Sequence, residues 1–187
     1  MLIISATEVE QLLEWTELGA AMERALIEFS AGRVTQPVRS ILPVEAGGGL
    51  FGVMPAIYDG VIGTKLVTVF PGSAKRGLHT HNAVISLFRA ETGEPLAMLD
   101  GRVITAWRTA AVSALATREL SAPNARILAI LGSGVQARSH WIALQKVRKF
   151  DEVRVWSRTP EHATRFAEDT GARVTSAEEA VRERMSL

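Results

Sequence analysis

Six consecutive residues, Gly132-Ser133-Gly134-Val135-Gln136-Ala137, carry the most specific chemistry in this 187-residue chain. They fit the spacing G-x-G-x-x-G/A. A glycine at 132 permits a tight turn out of a strand. Gly134, lacking a Cβ, lets an anionic diphosphate approach the backbone, and the small Ala137 lets a following helix lie close to a sheet. The first N–H groups of that helix and the positive end of its dipole then face the anion. The context agrees, because the apolar run Arg126–Leu131 precedes the turn and a helical pattern over Val135–Val147 follows it. The competing reading is a tight turn with no ligand. About 20 residues further on, an NAD site usually places Asp or Glu for the ribose hydroxyls. Here stand Ser157-Arg158-Thr159. An acid would repel a 2′-phosphate, whereas a guanidinium can fork onto it. NADP(H) is therefore preferred, with NAD(H) as the alternative cofactor and a solvated surface Arg158 as the bland reading.

Other candidates are less specific. Lys65 sits inside the apolar run Val61–Phe70, where strand alternation puts it on the face of Val67 and Val69. An inward lysine has a lowered pKa and can transfer protons near neutrality. An edge-strand lysine that discourages aggregation fits the pattern equally well. Arg39 opens a strand, and Arg108 lies on an alanine-rich helix. Each suits a carboxylate or phosphate, or an ordinary ion pair. His79-Thr80-His81 is weak support for a metal, and none is expected. The four tryptophans are scattered and read as core.

The elements that must position these residues fall into two textures. Ser5-Ala6-Thr7-Glu8 reads as a capping box for a short helix, and Thr16 as the cap of a second helix running to about Ser30. Arg39–Val44, Leu50–Ile57, Val61–Phe70, Ala83–Phe88 and Pro95–Leu99 read as strands in mainly antiparallel or mixed pairing. A helix over Ile104–Leu120 follows, then the break Ala122-Pro123-Asn124. Beyond it come a strand over Arg126–Leu131, the glycine turn, a helix over Val135–Val147 and a strand over Glu152–Trp156. Pro160–Thr170, Ala172–Thr175 and Ala177–Arg184 read as helix, strand and helix. The expectation is an α/β protein: an N-terminal α+β domain over 1–121, then an incomplete Rossmann-type doubly wound domain over 122–187.

Composition narrows the function classes. Twenty-one basic residues face twenty acidic ones, so no basic field for nucleic acid exists. Cysteine is absent, which excludes a thiol nucleophile and a cysteine-held zinc. No apolar run approaches the ~20 residues of a membrane span, and the start does not read as a signal peptide. A cytoplasmic protein is expected.

Several ordered motifs together resemble one family. They are Gln36-Pro37-Val38-Arg39, Gly52-Val53-Met54-Pro55, Thr64-Lys65-Leu66-Val67, Thr80-His81-Asn82-Ala83 and Met98-Leu99-Asp100-Gly101. Ile104-Thr105-Ala106-Trp107-Arg108-Thr109-Ala110-Ala111, the glycine turn and Ser157-Arg158-Thr159 complete the series. To about Val181 the chain resembles the ornithine cyclodeaminase/mu-crystallin family. The resemblance implies a homodimer whose first domain carries the substrate site and the dimer sheet, and whose second is a Rossmann domain for NAD(P). It implies that Arg39 and Lys65 hold a substrate carboxylate, with Lys65 also a candidate proton donor. Thr80, His81 and Arg108 match positions lining the nicotinamide and phosphate region. Gly132, Ser133, Gly134, Val135, Gln136, Ala137, Ser157, Arg158 and Thr159 match the adenosine-phosphate site. The Arg158-Thr159 pair resembles the NADPH-using branch, which reduces cyclic ketimines such as pyrroline- or piperideine-2-carboxylate to imino acids. Ornithine cyclodeaminase, an amino-acid dehydrogenase on the same scaffold, and a non-catalytic ligand-binding or dimerisation protein are the alternatives. Family members continue past the point where Arg182-Glu183-Arg184-Met185-Ser186-Leu187 departs from the pattern. The resemblance thus implies a C-terminally truncated chain, lacking a later acidic residue that cyclodeaminases of the family use.

Overall fold

The structure, a computed structural model, describes residues 1–182. The chain divides into two compact units, Met1–Thr105 and the residues from Ala106 onward. The division falls inside a helix, earlier than the Ala122-Pro123-Asn124 break at which the sequence suggests a boundary.

The first unit contains β1 (Leu2–Ile4), α1 (Ala6–Leu12), α2 (Trp15–Ser30), β2 (Ser40–Val44), β3 (Gly49–Tyr58), β4 (Val61–Val69), β5 (His81–Arg89) and β6 (Pro95–Asp100). A single 3-10 turn over Pro71–Arg76 separates β4 from β5. The strands form one sheet in the order β1-β6-β5-β4-β3-β2. Only β1 joins parallel, and the remaining pairings are antiparallel. β1 is too short to show a period, so no sequence pattern announces it.

Local chemistry explains the boundaries. Ser5 and Glu8 form the expected capping box, with the Ser5 N–H donating to Glu8 Oε2 at 2.8 Å. α2 corrects the expectation of a Thr16 cap: Glu14 is its N-cap and makes no side-chain capping bond. Asp59 and Gly60 both take positive φ, 49° and 74°, as a two-residue hairpin between β3 and β4 requires. The helix expected from Ile104 begins earlier, at Gly101, because Asp100 caps it. The Val103 N–H donates to Asp100 Oδ1 at 2.8 Å. This helix, α3, runs from Gly101 to Leu120.

The sheet has two unlike faces. Val67, Ala83 and Ala97 are buried on one of them. Packing there is tight. A Cβ on Gly52 would come within 2.7 Å of Val67 Cγ1, and one on Gly101 within 2.9 Å of Ala83 Cβ. The opposite face leaves Leu42, Val84 and Met98 exposed.

The second unit holds β7 (Ile127–Leu131), α4 (Val135–Val147), β8 (Glu152–Trp156), α5 (Pro160–Thr170), β9 (Arg173–Val174) and α6 (Ala177–Val181). Its three strands are parallel in the order β7-β8-β9. This is the βαβ arrangement of a partial Rossmann-type unit, so the α/β class and the order of its parts stand as expected. The core is Ile130, Val155, Phe166 and Ala172, with Leu128, Ala137 and Trp141 packed against it. The strand expected over Ala172–Thr175 shortens to Arg173–Val174, and the last helix ends at Val181. The end of that helix expected at Arg184 lies outside the described residues.

One charged cluster organises the far side of this sheet. Arg154 is only 2% exposed. Its guanidinium donates to the carbonyls of Glu179 (3.1 Å) and Arg182 (2.8 Å) and to Glu152 Oε2 (2.9 Å). It therefore satisfies backbone acceptors at the end of α6 that the helix itself cannot. Arg173 bridges Glu152 and Glu179 at 2.9 and 2.7 Å. Hydrogen bonds from Arg154 and Arg173 lower the Glu152 carboxyl to about 2.

Candidate active site

In the second unit the glycine turn joins β7 to α4. Gly132 has φ +126°, a conformation that side chains rarely adopt, and its N–H donates to the Trp156 carbonyl at 2.7 Å. This bond ties the end of β7 to the end of β8. Gly134 is the N-cap of α4 and carries no side-chain capping bond. A Cβ there would meet nothing within 4 Å, so the space over the turn is open. The Arg138 N–H makes the intrahelical bond to the Gly134 carbonyl, leaving the N–H groups of the first turn ahead of it. A diphosphate fits this cradle on charge and on space.

The Ser133 hydroxyl donates to Ser157 Oγ at 2.9 Å, which brings the turn and the end of β8 together. Arg158 is exposed, and Thr159 caps α5 with no side-chain bond. The residues from Gly132 to Ala137 and from Ser157 to Thr159 thus gather at the carboxyl ends of two parallel strands. That is where open α/β sheets bind ligands. Arg108, on α3, is half-buried, and desolvation pulls its guanidinium below the usual range. No carboxylate offsets that burial, so the ordinary ion pair weighed from the sequence is absent among the described residues.

In the first unit, register does what sequence distance hides. Lys65 pairs with Met54 on one side and Ile85 on the other, so these three share a face. β4 lies inside the sheet between β3 and β5, which removes the edge-strand reading of Lys65. Arg39, expected to open a strand, lies one residue before β2, whose first residue Ser40 pairs with Val53. Met54, Lys65 and Ile85 form one row across the sheet. Arg39 is exposed and Lys65 half-buried. His81 pairs with Val69, four residues along β4 from Lys65 and on the same face. Thr80 lies on the bend before β5, and its carbonyl accepts from the Phe70 N–H at 2.8 Å. His79 and His81 belong to no metal-binding cluster among the described residues.

Sequence reasoning misses His140. It lies four residues after Gln136 on α4, and its ring bonds both Gln136 and Ser113 of α3. The helical i, i+4 spacing to the glycine turn was the available signal.

A mixed sheet with Lys65 on an inner strand, and a parallel βαβ unit with an open glycine turn, define a protein of the α/β class with a partial Rossmann-type unit. The chain belongs to the ornithine cyclodeaminase/mu-crystallin family, which its residues 1–185 match. It is 45% identical over 170 residues to the ketimine reductase mu-crystallin of Rattus norvegicus, covering 88% of this chain and 54% of that protein. It is 40% identical to a Delta(1)-pyrroline-2-carboxylate reductase of Bacillus cereus, covering 90% and 52%. Among solved structures, it is similar to the Thermococcus litoralis Delta(1)-pyrroline-2-carboxylate reductase in complex with NADH and L-proline. That match has a TM-score of 0.91 and 33% identity, and covers 98% of this chain and 59% of the other. An archaeal alanine dehydrogenase dimer with bound NAD matches with a TM-score of 0.90 and 34% identity, covering 96% and 57%. The chain spans about half the length of the curated relatives it matches.

Proposed function

We propose that this chain is the substrate- and dinucleotide-binding part of an NADPH-dependent reductase that converts a cyclic ketimine, of the pyrroline- or piperideine-2-carboxylate type, to the imino acid. The observation that carries the reading is Lys65 beside Met54 on one face of the sheet, with Arg39 immediately before the strand that pairs with β3 on its other side. Two strand spacings, about 10 Å, separate β2 from β4. An arginine and a lysine side chain can close that gap onto one carboxylate. The relatives named as reductases support the substrate class.

In this reading the Arg39 guanidinium forks onto the substrate carboxylate and so orients the imine carbon. The Lys65 ammonium makes a second contact to that carboxylate and holds the proton that belongs on the imine nitrogen. A protonated nitrogen makes the neighbouring carbon electrophilic. Bound NADPH supplies the hydride. The turn from Gly132 to Ala137 holds its diphosphate, and Ser157, Arg158 and Thr159 hold the adenosine end, with Arg158 on the 2′-phosphate. NAD(H) lacks that phosphate and is the weaker cofactor. Thr80, His81 and Arg108 are assigned to the nicotinamide and phosphate region. A homodimer, formed by the face bearing Leu42, Val84 and Met98, belongs to the same proposal. So does a cytoplasmic setting.

The test is NADPH fluorescence titration followed by turnover with Δ1-pyrroline-2-carboxylate. Binding with formation of proline is expected. Ammonia release from ornithine would assign a cyclodeaminase instead. Binding without turnover of either substrate would assign a ligand-binding protein, and failure to bind any dinucleotide would overturn the proposal.

A further inference from the structure

The hydrogen bonds around His140 lead into the dinucleotide turn. His140 Nδ1 lies 2.7 Å from the Gln136 carbonyl oxygen. A carbonyl only accepts, so Nδ1 carries the proton. In the neutral ring Nε2 is then an acceptor, and the Ser113 hydroxyl, 3.0 Å away, donates to it. The Ser139 hydroxyl donates to the same Gln136 carbonyl at 3.1 Å. Ser113 lies on α3, while the other three residues lie on α4.

The Gln136 carbonyl and the Ala137 N–H belong to one planar peptide group. Donors placed on the carbonyl fix the tilt of that plane. They also polarise it, which strengthens the N–H at its other end as a donor. The Ala137 N–H lies in the first turn of α4, where N–H groups precede the intrahelical ladder. The chain Ser113 to His140 to Gln136 carbonyl therefore ends on a donor aimed at the anion cradle.

We infer that His140, oriented by Ser113, is a positioning residue for the cofactor diphosphate, acting through the Gln136–Ala137 peptide. The inference rests on the dinucleotide reading above. Its energetic content is that of one hydrogen bond, so the effect is moderate and selective. His140→Leu should weaken NADPH roughly tenfold. His140→Asn keeps a donor within reach of the Gln136 carbonyl and should recover most of the affinity. Ser113→Ala should produce a smaller loss in the same direction.

The experiment measures NADPH, ADP and adenosine 2′-monophosphate binding to the whole chain by calorimetry, with thermal unfolding alongside. The expected result for His140→Leu is weaker NADPH and ADP, unchanged adenosine 2′-monophosphate and an unchanged melting temperature. Equal losses for all three ligands would mean general distortion and would overturn the inference. So would undiminished NADPH affinity in the variant when the wild-type chain binds the cofactor. If the wild-type chain binds no NADPH, the dinucleotide reading fails first and takes this inference with it.

Discussion

Lys65 lies half-buried on the sheet face that also carries the buried Val67 and Ala83. A partly buried lysine suits both carboxylate binding and proton delivery. Lys65→Met should lower ketimine reduction by about a hundredfold or more and leave NADPH titration unchanged. Turnover kept within a few-fold of wild type would remove Lys65 from the chemistry. Arg158→Ala should weaken NADPH by about ten- to a hundredfold and leave NADH nearly untouched, since only one of them carries the 2′-phosphate. Parallel titrations with both cofactors decide it, and equal losses would refute the assignment. The glycine turn, with a strand before it and a helix after it, was legible in the sequence because the signal is local. The neighbours of Lys65 were not, because strand register is a long-range property. Alternation sets the face of Lys65, but only pairing with β3 and β5 puts Met54 and Ile85 beside it.

Among the strands and helices, most follow from period and punctuation. The failures have physical causes. β1 is held by its partner β6 rather than by any pattern of its own. α2 begins without a side-chain cap, so the nearby threonine misled. α3 starts early because Asp100 supplies the capping oxygen, a role that a strand-like run ending in an acid does not advertise. The cluster around Arg154 gives the second unit a defined acid sensitivity. Glu152 is held at about 2, against an ordinary value of 4.5. Its folded pKa is depressed, so its stabilising effect is fully present above about 4.5. That effect is lost progressively as pH falls from there through about 2. Melting temperatures measured across this window should fall for the wild type. Glu152→Gln should start lower at neutral pH and show a flatter slope through the same window. Parallel slopes would separate the acid sensitivity from Glu152.

For the chain taken entire, the sheet of the first unit is the feature that asks for a partner. An exposed apolar sheet face is more often an interaction surface than a solvated one. Val84 is 39% exposed on β5, well inside the sheet, so a long polar side chain there can reach water without breaking the strand. Light scattering should report a dimer for the wild type and a monomer for Val84→Lys, with the circular dichroism spectrum preserved. A Val84→Lys dimer of undiminished affinity would place the contact elsewhere. No helix among the described residues is long and apolar enough to cross a membrane.

The fit of Gly101 against residue 83 fixes one codon in every descendant of this sequence. A methyl at 101 would press on the methyl of Ala83 and also on its backbone carbonyl, at 2.9, 3.1 and 3.2 Å. Shrinking 83 to glycine removes only the first of these, so lineages should keep glycine at 101 whatever small residue stands at 83.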